Sequence, residues 1–231
     1  MSFRANDSLA EQIAHHVGEL IISGELVEGE RIQEMRIAGE LDVSRGAVRE
    51  ALLILQRRHL ITIFPRRGAV VTELSPASLK SLYELLILHS SLIVRRISLL
   101  WHQSDLPPFM TALAEMEEAL SSQDIERFYE RGYELLRLAQ PFAGNPYLDA
   151  ILADLQPSAR RAAYLALQVS RREMEEAFGF LKGLLDAIML RQSDRSVELL
   201  EEYLLHQRNL VLESLLRVKQ IEMAWARRHR R

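Results

Sequence analysis

Residues 44–72 contain one change of hydrophobic period, and that change most limits the folds open to this 231-residue chain. Ser44 stands where an N-cap belongs. After it, Val48, Ala51, Leu52 and Leu55 recur at helical spacing up to about Arg58. The chain then becomes β-branched. Leu60-Ile61-Thr62-Ile63-Phe64 predicts a strand, Pro65-Arg66-Arg67-Gly68 a turn, and Ala69-Val70-Val71-Thr72 a returning strand. A capped amphipathic helix feeding a basic-tipped hairpin leaves few architectures.

The upstream residues narrow them further. Leu9, Ile13, Val17, Leu20 and Ile21 form a helical stripe, with Asp7 or Ser8 placed to cap it and Ser23-Gly24 to end it. Glu25 to Arg31 reads as a loop around Gly29. A short helix follows, with Ile37, Ala38 and Leu41 inward, broken by Asp42-Val43-Ser44. Three helices and a two-stranded wing predict a winged helix-turn-helix over residues 1–75. From Ser75-Pro76 onward the pattern is helical throughout. Helices are expected at 76–101, 107–122, 124–140, 145–168, 170–192 and 194–226, with breaks at Pro107-Pro108, Pro141 to Pro146 and Ser193-Asp194. The fold class is mainly α: a winged helix-turn-helix, then an all-α antiparallel bundle over residues 76–231 ending in a basic tail.

Composition bears on function at a few points. The net charge of −3 argues mildly against a nucleic-acid partner. Its placement argues for one: Arg45, Arg49, Arg57, Arg58, Arg66 and Arg67 share a window with Glu50 alone among acidic residues. With no cysteine, disulfides and thiolate metal sites are excluded, which fits a reducing cytoplasm. No run reaches ~18 uninterrupted apolar residues and the N-terminus lacks a signal-peptide core, so no membrane partner is expected.

The second helix of a helix-turn-helix puts its N-terminal residues against base edges in the major groove of double-stranded DNA. Arg45 is placed to fork onto guanine O6 and N7. Arg49, one turn on, can read a base or grip a phosphate. Gly46 and Ala47 permit close approach and contact with a thymine methyl. Ser44 can donate to a phosphate while its oxygen caps the helix, whose free N–H groups also favour phosphate. Arg66 and Arg67, on a turn allowed by Gly68, would reach the backbone or minor groove.

The block Leu41-Asp42-Val43-Ser44-Arg45-Gly46-Ala47-Val48-Arg49-Glu50-Ala51-Leu52, followed by Leu55, Leu60-Ile61 and Arg66-Arg67-Gly68-Ala69-Val70-Val71, resembles the GntR family of bacterial transcription factors. The branch is the FadR-like one, with an FCD ligand-sensing domain. Gly46-Ala47 replace the family's common Thr-Pro, so the threonine hydroxyl's contacts are missing. The resemblance also implies a DNA contact at the start of the second helix, where Arg36 is the candidate beside Glu34 and Met35. Ala143-Gly144-Asn145-Pro146-Tyr147-Leu148 matches a recurring turn of the second domain, with Asn145 as a helix cap.

Many members of this branch hold a metal with an aspartate and three histidines. Those positions fall on Gly132, Leu136, near Leu181 and about Leu205, one residue from His206. Leucine cannot ligate a metal, so neither a metal of that type nor any other cofactor is expected. The arginine that faces an acidic ligand in the family falls near Leu86. Three readings of this apolar interior stay open: an apolar or amphipathic effector, a polar effector held by other residues, or a filled pocket serving dimerisation. His89, Tyr133, Arg137, Tyr164, Tyr203 and His206 are the polar candidates for an effector.

The expected function is a cytoplasmic, homodimeric regulator on a pseudo-palindromic operator, modulated by a small molecule without metal. The alternatives are a helical adaptor whose winged helix binds protein, or a regulator whose second domain only dimerises. No nucleophile–base pair, paired-acid constellation or phosphate loop stands out, so no enzyme is expected. The terminal run Arg227-Arg228-His229-Arg230-Arg231 reads as a solvated tail able to add phosphate attraction.

Overall fold

A computed structural model describes residues 8–167 and 171–228. Nine α-helices and three strands are formed among them. The chain divides into two compact units, Met1–Leu74 with Ile151–Arg161, and Ser75–Ala150 with Ala162–Arg231.

In the first unit, α1 (Leu9–Ile22) starts where the Ser8 side chain accepts from the Glu11 amide, and ends before Gly24 at φ +83°. α2 (Glu34–Leu41) stops at Asp42, which turns left-handed at φ 52°. That single residue turns the chain into α3 (Arg45–Arg57), whose cap is Ser44, accepting from Ala47 N at 3.1 Å. Ile13, Val17 and Ile21 of α1 meet Val48, Leu52 and Leu55 of α3 in one core, closed by Leu60, Ile61, Ala69 and Val71. Leu55 and Val48 are fully buried. Truncating such a leucine to alanine typically costs about 2–5 kcal/mol.

The sheet corrects the two-stranded expectation. β2 (Ile61–Phe64) and β3 (Gly68–Val71) pair antiparallel with Ile61 opposite Val71 and Phe64 opposite Gly68. A third strand, β1 (Arg31–Ile32), pairs with the other edge of β3, so the order is β1-β3-β2. The stretch read as a loop up to Arg31 thus ends in a strand. Two residues are too few to show a period, and only pairing with β3 defines them. Ile151–Arg161 belongs to this unit through side chains. Ser158 donates to the Arg58 carbonyl at 2.9 Å. Arg160 holds Glu19 through both guanidinium nitrogens at 2.6 and 3.1 Å. Arg161, 5% exposed, donates to the Thr72 carbonyl at 2.7 Å and to Glu28 at 2.9 Å.

The second unit is built on α4 (Pro76–Leu100), α5 (Leu106–Ser122), α6 (Ile125–Ala139), the outer turns of α7 (Pro146–Leu167), α8 (Arg171–Met189) and α9 (Ser193–Arg228). Ser75 and Ser78 form a reciprocal capping box at the start of α4. Asn145 accepts from Tyr147 N and Leu148 N, capping α7. Val94, Ile97, Phe109, Leu113, Leu185, Ile188, Val197 and Leu200 form one core cluster, and Met116, Phe128, Tyr129 and Met174 centre another. α4 is apolar and long enough to cross a membrane by composition alone, yet it buries Leu79, Tyr83, Leu86, Ile93 and Ile97 within this bundle. α9 extends to Arg228, two residues beyond expectation. His229, Arg230 and Arg231 lie outside the described residues, as do Asn6 and Asp7.

Candidate nucleic-acid interface

α3 presents its first turn to solvent. Ser44, Arg45, Gly46 and Arg49 are exposed and Ala47 is half-buried, while Val48 directly behind them anchors the helix in the core. Arg45 and Arg49 are four residues apart and share a face. One carboxylate organises both: Glu34 Oε2, from the first turn of α2, lies 2.9 Å from Arg49 Nε and 3.9 Å from Arg45 Nη2. Glu34 meets Arg49 through Nε, a contact that does not itself use the two terminal nitrogens, the fork that fits guanine or a phosphate. Glu34 was not singled out from the sequence as a site residue. Its signal is the acidic first turn of α2, but only the turn at Asp42 brings it against α3.

Arg36 does not join that group. Its Nε is held by Glu40 at 2.7 Å along the same face of α2, and the side chain is well exposed. Met35 is 70% exposed beside it.

At the wing, Arg66 takes a left-handed φ of 65° and Gly68 one of 83°, so the tip Pro65-Arg66-Arg67 closes in three residues with both arginines exposed. Arg31 is a further cation of this surface. Placed on β1, its guanidinium lies along Gly68, where an added methyl carbon would meet Nε at 3.6 Å. Read as part of a loop, Arg31 carried no such assignment in the sequence.

The effector candidates separate into two groups in the second unit. Tyr133 stacks on Tyr129, which meets Tyr164 edge-on with ring centroids 5.5 Å apart. Tyr203 and His206 both flank Phe180, with centroids 5.9 and 6.0 Å away. Burial pushes the Tyr203 phenol up to about 12 and raises Tyr83 further still. One candidate leaves the interior: Arg137 is 64% exposed and paired with Glu134 on its own helix. His89 is half-buried, and its Nδ1 is engaged by the Leu85 carbonyl at 2.6 Å.

The metal positions implied by the family resemblance do not fit a metal. A Cβ at Gly132 would meet Met116 Cε at 3.3 Å and Leu181 Cδ1 at 3.9 Å, so two of those positions do converge, but on thioether and leucine. Leu205, near which the resemblance puts the third histidine, is 36% exposed. Leu86, near the position to which the resemblance assigns an acid-binding arginine, is buried.

Residues 9–71 match the family described as bacterial regulatory proteins, gntR family, and residues 81–206 match the FCD domain. The gluconate operon transcriptional repressor of Bacillus subtilis (strain 168) is 26% identical over 175 residues, covering 74% of this chain and 70% of that protein. An uncharacterized HTH-type transcriptional regulator of the same organism, YdhC, is 28% identical, covering 61% of this chain and 63% of its own. Among solved structures, a putative transcriptional regulator GntR from Rhodococcus sp. RHA1 superposes with a TM-score of 0.75 at 21% identity, covering 90% of this chain and 99% of that one. E. coli McbR/YncC gives a TM-score of 0.75 at 20% identity with the same coverages.

Proposed function

The chain belongs to the gntR family of bacterial regulatory proteins and carries an FCD domain, and on that premise we propose how this DNA-binding transcriptional regulator reads its operator. The family is one of transcription factors, not enzymes. Residues 1–75 act as the reading domain, with Arg45 and Arg49 on base edges in the major groove. Ser44, Gly46 and Ala47 allow close approach of the helix N-terminus to the backbone, and Arg36, Arg66, Arg67 and Gly68 contact phosphate or the minor groove. The observation that carries this reading is the exposed, Ser44-capped N-terminus of α3, where Arg45 and Arg49 converge on Glu34.

Residues 76–231 act as the dimerising and effector-binding part, so that two copies of α3 address a pseudo-palindromic operator in the cytoplasm. The apolar neighbours of Gly132, Met116 and Leu181, and a leucine at position 86 favour an apolar or amphipathic effector over a metal-bound acid. Such an effector shifts DNA affinity only by binding two dimer states unequally. Similarity to a gluconate operon repressor supports repression as the sign of regulation.

Selection from random duplexes, followed by titration of the selected and a scrambled duplex, tests the reading. Arg45→Ala is expected to lose about 1–3 kcal/mol of discrimination at one base position of each half-site. Unchanged discrimination would remove Arg45 from the interface.

A further inference from the structure

We propose that Glu173, Glu176 and His206 form a binding site for a divalent cation, held between α8 and α9, whose two carboxylates stand at none of the ligand positions that the family resemblance implies and whose histidine is one residue from one of them. The inference is independent of the DNA-reading assignment above.

Glu173 and Glu176 are three residues apart on α8, so both carboxylates lie on one face. His206 of α9 points its Nε2 between them, 2.9 Å from Glu173 Oε2 and 3.4 Å from Glu176 Oε2. One donor atom from each residue lies within 4.8 Å of the others. Ligand atoms about 2.0–2.2 Å from a zinc ion are roughly 2.9 Å apart across an octahedral edge and roughly 3.3 Å apart across a tetrahedral one. The two distances at His206 lie within the span of those edges, and with all three donor atoms within 4.8 Å of one another a cation would draw them together by movement of the carboxylate and imidazole side chains.

A single imidazole–carboxylate hydrogen bond explains the shorter distance by itself. It does not explain a second carboxylate on the same nitrogen. The Glu173 side chain is only 12% exposed, against 34% for Glu176 and 29% for His206. Two like charges this close, one of them largely out of water, call for positive charge between them. Arg172 supplies some from the side: its Nε donates to Glu176 Oε1 at 2.7 Å. That contact ties up the far oxygen and leaves Oε2 aimed at His206, as an outer-shell partner orients a ligating carboxylate. Phe180, packed beside the His206 ring, lowers the polarity on one side.

Two carboxylates and one imidazole select a hard or borderline divalent ion such as Mn²⁺, Co²⁺ or Zn²⁺ over a thiolate-seeking one. Three protein ligands leave a position for water. This set uses no residue of α6, on which Gly132 and Leu136 lie.

The test is titration of the chelator-stripped full-length protein with Co²⁺ and then Zn²⁺. Calorimetry, the visible Co²⁺ bands and the ¹⁵N resonances of the His206 ring are the readouts. One saturable equivalent per chain is expected, with Zn²⁺ displacing the Co²⁺ bands and shifting the His206 Nε2 resonance. Glu173→Gln and His206→Ala should each abolish that equivalent, while a His15→Ala/His16→Ala double variant should retain it. The absence of a saturable equivalent in the wild-type protein would overturn the proposal. So would an equivalent that leaves the His206 resonances unmoved, a wild-type measurement that holds even if a variant fails to fold.

Discussion

If α3 reads DNA as proposed, Glu34 acts on that surface in two opposing ways. By pairing with Arg49 and approaching Arg45 it holds two flexible side chains near one geometry, which reduces the entropy lost when they meet bases. By its charge it also repels any duplex that does not reward those arginines, a cost borne mostly by wrong sequences. Glu34→Gln is therefore expected to raise affinity for random DNA while lowering the ratio of specific to random binding by several-fold. Titration of both duplexes at fixed salt checks this; a ratio equal to that of the unaltered protein would contradict it. Tyr203 supplies a pH prediction. The folded state holds its phenol neutral up to about 12, whereas a free tyrosine ionises near pH ~10. The raised value means that the stabilisation is complete below pH ~10 and is lost as pH rises toward ~12. Tyr83 shifts in the same direction. In absorbance at 295 nm, Tyr203 and Tyr83 should titrate only together with loss of helical circular dichroism.

At the scale of elements, what was legible in the sequence followed from local rules. α1, α3 and the β2–β3 hairpin declared themselves by period, cap and turn residues, and so did the six long helices after Ser75. β1 did not, because its two residues take their conformation from β3. The middle of α7 was equally hidden. Its periodicity announces a helix, but nothing local says that Ser158, Arg160 and Arg161 bind the Arg58 carbonyl, Glu19, and Thr72 with Glu28. Burial lowers the Arg161 guanidinium and Glu28 opposes that shift. Arg161→Ala would strip the part-buried Thr72 carbonyl and the half-exposed Glu28 of a partner, at a cost of about 2 kcal/mol once solvent access is allowed for. Hydrogen exchange should show faster exchange at Thr72 and at the Leu74 amide, which donates to Glu28. Protection of the α8 amides should remain unchanged.

For the whole molecule, the proposed symmetric dimer would require an operator whose half-sites recur at one helical turn, ~10–10.5 base pairs, or a multiple. Inserting about five base pairs between half-sites should cost most of the specific affinity, and a further five should recover much of it. A spacing-independent affinity would indicate one reading domain per site. Arg45, Arg49, Arg66 and Arg67 were readable as a basic surface because they are close in the sequence and their elements are local. The sequence by itself determined the winged helix, the helical second part and the capped, exposed basic first turn of α3, since periodicity, caps and turns act over a few residues. It could not determine which distant groups meet. Read along the chain, His206 was one imidazole without ligand partners, Glu34 one acid in a first turn, and Arg31 one residue of a loop. Tertiary packing placed two carboxylates on the first, two arginines on the second and the wing beside the third, because those contacts join elements whose spacing is set by the packed core and not by neighbours in sequence.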